Sequence, residues 1–172
     1  TAALLPVLPA NTRYVFTDVS ALFLQRARAR FQQYGFVEYA VLDIDRDPTE
    51  QGFKSGGFDL IIAANVFHAS RNLDDTLARA YELLDPGGIL LLVEMTAYQT
   101  WFDIVFGPVL SPLEDARRGH QPFLAAEQWR GALQRAGFVP GQFVPDDLPQ
   151  TAVLGQQVLS ARKVTPVNSA TA

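Results

Sequence analysis

A chain of 172 residues, 48% hydrophobic and 19% charged, has the makeup of one globular domain or one large piece of a domain. Its net charge of -4 argues against a nucleic-acid footprint. The absence of cysteine removes disulfides, thiol nucleophiles and thiolate metal sites, so no metal centre is expected and a reducing cytoplasm is. The basic residues come in short groups, such as Arg26, Arg28 and Arg30 or Arg117 and Arg118, which read as solvated faces. No apolar run reaches the roughly 18 to 20 residues of a membrane span.

The opening TAALLPVLPANTR carries no basic start of the signal-peptide kind and reads as the end of a helix followed by a turn. YVFTDVS, Tyr14 to Ser20, is β-branched and aromatic and predicts a strand. Ser20 is placed to cap a helix that Gly35 closes. Val37 to Asp45 predicts a second strand, stopped by Asp47-Pro48, and GGFDLIIAANV a third. GFKSGGF reads as a surface loop. A helix is expected from Leu73 to Leu84 behind an Asn72 cap, then a turn at Asp85-Pro86-Gly87-Gly88 and a fourth strand, Gly88 to Met95. WFDIVFGPVLSP is apolar and proline-broken, closer to a lid or an irregular helix than to a strand. Ala125 to Gly137 predicts a helix, and FVPGQFV and TAVLGQQVLSAR a closing antiparallel pair. Residues 1–163 are expected to be one partial domain and 164–172 a flexible tail.

Strands alternate with helices, and the central strands are continuous apolar runs. That combination predicts an α/β fold with a parallel sheet and helices on both faces. In such sheets ligands sit outside the carboxyl ends of the strands. The first strand ends at Asp18, the second at Asp43 and Asp45, the third at Asn65 with His68 just beyond, and the fourth at Glu94. Four successive strands thus deliver polar or ionisable groups to one rim, which predicts a site there.

The stretches YVFTDVS, VLDIDRDPTEQGF, FDLIIAANVFHASRNLDDTL, LLDPGGILLLVEMT and RRGHQPFL, spread over Tyr14 to Phe138, carry a resemblance. The chain resembles the Rossmann-like class I methyltransferases that use S-adenosylmethionine, and more closely the C-methyltransferase domains of modular polyketide synthases. The resemblance implies that Asp18 binds the cofactor's ribose hydroxyls, Asp43 the adenine amino group, Ile44 the adenine ring, and Asn65 the methionine end. It implies that His68 and Glu94 form a catalytic pair. The substrate would be a β-ketoacyl chain on an acyl-carrier protein, methylated at its α carbon beside neighbouring synthase domains. An imidazole titrates near neutrality and suits the acidic carbon between two carbonyls.

The resemblance also calls for a first strand and a glycine-rich turn, which no stretch upstream of Tyr14 supplies. A fragment of a longer synthase is therefore expected, with either a gap in the sheet or direct pairing of the strands starting at Tyr14 and Phe58. Two other functions stay open: a non-catalytic pseudo-methyltransferase scaffold, and a small-molecule O- or N-methyltransferase. Tyr98 to Gln121 is expected to cover the acyl end. Trp101, Phe102 and Phe106 are read as channel or core residues, and His120 as a structural or channel residue.

Overall fold

The computed structural model describes residues 1–97, 114–115, 118, 122–145 and 155–165. The expectations for Trp101, Phe102, Phe106, His120 and residues 166–172 lie outside the described residues. The chain divides into two compact units, Thr1–Gly52 and Phe53–Ala172.

In the first unit, strand β1 (Tyr14–Asp18) leads through helix α1 (Ala21–Arg30) to strand β2 (Val37–Val41). The two strands pair in parallel, from Tyr14 opposite Val37 to Asp18 opposite Val41. Leu5, Ala27 and Phe31 are buried with Tyr14, Phe16, Tyr34, Phe36 and Tyr39 packed around them. The helix stops five residues before Gly35. Phe31 leaves the helix at φ -113°, and its ring comes to 6.5 Å from that of Phe16. Burying a Phe is worth about 1.5–3 kcal/mol, enough to override four more helical residues of indifferent propensity. Ser20 stands at the helix N-terminus without a side-chain cap. Its backbone N–H instead donates to Asp18 Oδ1 at 2.8 Å, so the carboxylate organises the turn.

In the second unit, strands β3 (Phe58–Ala64), β4 (Leu84–Met95), β5 (Phe138–Val144) and β6 (Gln156–Lys163) form a sheet of order β3-β4-β6-β5. β3 runs parallel to β4, and β6 antiparallel to both β4 and β5, which realises the expected closing antiparallel pair. The Asp85–Gly88 turn lies within β4 as a bulge. Phe58 pairs with Leu84 and Leu60 with Ile89, so the ladder runs regularly only from Ile89 onward. Helices α2 (Leu73–Leu83) and α3 (Ala126–Arg135) cover one face of the sheet. Leu77, Trp129 and Leu133 pack there with Leu90, Leu92 and Leu159, all fully buried. The apolar run of β4 therefore buries in alternation: Leu90, Leu92 and Glu94 point into this core, while Leu91 and Val93 are half-buried. Asn72 caps α2 as expected, its side chain accepting from the Asp75 N–H at 3.3 Å. The GFKSGGF loop is tied to the end of α2 by the Gly56 and Gly57 N–H groups, which donate to the Glu82 and Leu83 carbonyls. The strands thus form two hydrogen-bonded sheets, β1-β2 and β3-β4-β6-β5. No described helix is long and apolar enough to cross a membrane.

Candidate active site

β3 ends where Asn65 takes a left-handed backbone, φ 54°, which Asn adopts at less cost than most residues with a side chain. The ladder holds up to that point, since the Asn65 N–H donates to the Val93 carbonyl at 2.7 Å. The Asn65 side-chain oxygen accepts from Gln156 Nε2 of β6 at 3.0 Å, so the third strand end is braced by the antiparallel strand. The chain then makes a short 3-10 turn, Phe67–Ala69, that carries the histidine.

Glu94 sits one residue before the end of β4, entirely buried at 0% exposure. A carboxylate there is stable only if donors surround it. Its Oε1 accepts the N–H groups of Val66 and Phe67 at 3.1 and 2.9 Å. Its Oε2 lies 2.6 Å from Nδ1 of His68, itself 5% exposed. One side chain thus fixes both the start of the turn and the ring it presents. A carboxylate only accepts, so Nδ1 is the donor in this pair. The ring also packs against Phe123, with centroids 5.3 Å apart.

Arg118 corrects the sequence reading. It is not on a solvated face: it is 5% exposed and braces the backbone of the histidine turn. Its Nη1 donates to the His68 carbonyl at 2.9 Å, and its Nη2 to the carbonyls of Ser70 and Arg71 at 2.6 and 3.1 Å. Nε donates to Asp115 Oδ2 at 2.6 Å. Burial pushes the Asp115 carboxyl up, but N–H donors from Arg118 and Leu73 and the guanidinium charge outweigh it and hold it below the usual carboxylate range. The sequence offered no periodicity around Arg118 to reveal this.

In the first unit, Asp18 and Asp43 stand at the same end of the parallel pair, both half-buried, with Ile44 half-buried beside Asp43. The Leu42 N–H donates to the Asp18 carbonyl at 3.2 Å, which keeps the two strand ends adjacent. Asp43 Oδ1 accepts from the Asp45 N–H at 3.0 Å. Gln51 locks this loop from outside: its Oε1 accepts the Asp43 N–H at 2.8 Å and its Nε2 donates to the Asp43 carbonyl at 2.9 Å. Gln51 was not foreseen, because its role needs the chain to turn back eight residues later. Of the predicted site residues, Asn65, His68 and Glu94 are brought together in the second unit, and Asp18, Asp43 and Ile44 share one end of the first.

The methyltransferase domain family matches residues 1–90. The chain is 42% identical over 127 residues to the highly reducing polyketide synthase g433 of Fusarium sp, covering 73% of this chain and 5% of that protein. The chain therefore spans about one-twentieth of the length of that relative. Among solved structures it is similar to the CurJ carbon methyltransferase, at 40% identity and TM-score 0.86, covering 95% of this chain and 45% of that one. It is also similar to the trans-methyltransferase CalH, solved in complex with SAH, at 35% identity and TM-score 0.78, covering 88% and 42%.

Proposed function

The chain belongs to the methyltransferase domain family, among the C-methyltransferase domains of polyketide synthases, and from that premise we propose that it methylates the α carbon of a β-ketoacyl thioester. It is a methyltransferase whose cofactor is S-adenosylmethionine. When bound, that cofactor supplies an electrophilic methyl group on a sulfonium. The residues of the first unit suit its adenosine part. Asp18 and Asp43 put acceptors at one strand end, as a ribose diol and an adenine amino group require, and Ile44 offers an apolar surface to the ring. We assign Asn65 to the methionine end.

The observation that carries the reading is the buried His68–Glu94 pair. Glu94 accepts a hydrogen bond from the Nδ1–H of the ring, which fixes the tautomer and leaves Nε2 as the base. His68 Nε2 would accept the proton from the carbon between the two carbonyls, and Glu94 would stabilise the imidazolium so formed, as the aspartate does in serine-protease triads. The acyl chain would arrive on the phosphopantetheine arm of an acyl-carrier protein, beside neighbouring synthase domains in the cytoplasm. A pure scaffold would have no use for a buried carboxylate that orients one imidazole nitrogen, which sets the catalytic reading above that alternative.

The test is methyl transfer from labelled S-adenosylmethionine to a β-ketoacyl pantetheine thioester. His68→Ala should abolish transfer and leave cofactor affinity within about twofold, since binding and proton abstraction are separate tasks. Transfer that survives in the folded variant, or a large loss of cofactor affinity, contradicts the base role.

A further inference from the structure

We propose that Arg118 is a positioning residue for the His68 base, a role that rests on the function proposed above. Three observations meet at this side chain. The guanidinium is buried, yet its hydrogen bonds go to the backbone carbonyls of His68, Ser70 and Arg71, the turn that carries the imidazole. Its own orientation is set by Asp115, which takes Nε at 2.6 Å and the Arg118 N–H at 3.0 Å. Asp115 in turn accepts the N–H of Leu73, the first residue of α2, at 3.2 Å. The Glu114 N–H adds a bond to the Arg71 carbonyl at 2.8 Å. Glu114, Asp115 and Arg118 are thereby fastened along 68–73.

The chemistry explains why an arginine stands here. A planar fork of five donors can bridge carbonyls that converge from three residues, whereas a lysine offers one compact point of charge. Glu94 holds the ring at Nδ1 and Phe123 packs beside it at a tilt, but neither restrains the backbone after the ring. Arg118 supplies that restraint. A shift of the turn by even a fraction of the 2.6 Å separation would change how Nδ1 meets Oε2, and with it the aim of Nε2.

A cavity of about 300 Å³ borders the clamp, lined in part by Leu73, Asp115, Arg118 and Gly131.

The experiment follows the Nδ1–H proton of His68 in the full chain by nitrogen-edited NMR at neutral pH, with Glu94→Gln to assign it. A short bond to a buried carboxylate places this signal far downfield and protects it from water. In Arg118→Met we expect the signal to vanish or to exchange with water at least about tenfold faster, while the methyl signals of the core stay put. Arg118→Lys should restore it only partly, and guanidinium at millimolar concentration should recover it in Arg118→Ala. Methyl transfer should fall about tenfold to a hundredfold in kcat with the thioester KM unchanged. An unchanged signal with unchanged exchange in a folded variant overturns the proposal. Should Arg118→Met not fold, Arg118→Lys decides by the same signal. The clamp and the base fail separately: an active His68→Ala leaves the wild-type signal in place, and an indifferent Arg118 leaves His68→Ala inactive.

Discussion

Glu94 holds His68 through one oxygen and the backbone that precedes it through the other: Oε2 meets Nδ1 at 2.6 Å, and Oε1 takes the N–H groups of Val66 and Phe67 at 3.1 and 2.9 Å. The site is therefore built into the sheet. Glu94 is anchored in β4 by its pairing with Gln157 of β6, and β3 delivers the turn beside it. The imidazole is held by rigid elements on both sides, which is what the proposed proton abstraction, with its narrow geometric tolerance, needs.

Glu94→Gln separates the two jobs. The amide oxygen still accepts the Val66 and Phe67 N–H groups, so the turn keeps its shape. The amide nitrogen faces Nδ1 with donors and drives the ring to the other tautomer. We expect kcat for methyl transfer to fall by about 10² to 10⁴ while cofactor affinity holds, the scale seen when a histidine loses its orienting carboxylate. Wild-type kcat in the folded variant rules out the pairing as catalytic.

Asp18→Asn tests the first unit. Asn keeps an oxygen for the Ser20 N–H, which the structure shows bound at 2.8 Å, but gives up the charge and replaces the second acceptor by a donor. Charge-assisted bonds are worth about 1.5–3 kcal/mol, so calorimetric titration with S-adenosylmethionine should show affinity reduced by about tenfold or more. His68→Ala should not move it. Equal affinity in wild type and Asp18→Asn, or no binding by the folded wild type, removes Asp18 from the ribose role.

Why some of this could be read from the chain and some could not follows from the range of each interaction. Asn65, His68 and Glu94 stand at the ends of apolar runs, and a strand that stops at a polar group announces itself locally. The helix from Ala21 was also legible, but its end was not. Gly35 offered a local stop signal, and the packing of Phe31 on Phe16 decided the matter earlier. Ser20 had the right identity for a cap, yet Asp18 took over the turn. Arg118 was the largest miss. Its partners His68, Ser70 and Arg71 lie 47 to 50 positions upstream, and an arginine next to another arginine gives no sign of burial.

Asp115 gives the second unit a pH dependence with a definite sign. Its folded pKa lies below the ordinary carboxylate value because donors from Arg118 and Leu73 and the guanidinium charge outweigh burial. The stabilisation is complete above about pH 4 and is lost as pH falls through the folded value. Asp115→Asn should therefore be less stable than wild type at pH 7, by about 1–3 kcal/mol. The gap should narrow below about pH 4, once the wild-type carboxyl is protonated as well. Urea midpoints measured across that range check it, and a gap that stays constant down to acid pH shows that the charge of Asp115 is irrelevant.

Trp129 offers a test of the core that carries the site. It is fully buried against the sheet among Leu77, Leu90, Leu133 and Leu159, and its Nε1–H has no hydrogen-bond partner among the described residues. A buried donor without an acceptor costs about 1–3 kcal/mol. Trp129→Phe removes that donor along with part of the ring, so the relief offsets much of the lost packing. The variant should lose less than about 2 kcal/mol in urea unfolding, with an unchanged slope. Trp129→Ala leaves a cavity with the same relief and should lose about 3–5 kcal/mol. The contrast separates volume from polarity. If Phe is as damaging as Ala, the indole nitrogen is satisfied in solution and the core depends on it. If Phe is nearly neutral, the tryptophan is there for its size, filling the space between α3 and the strands that position Glu94.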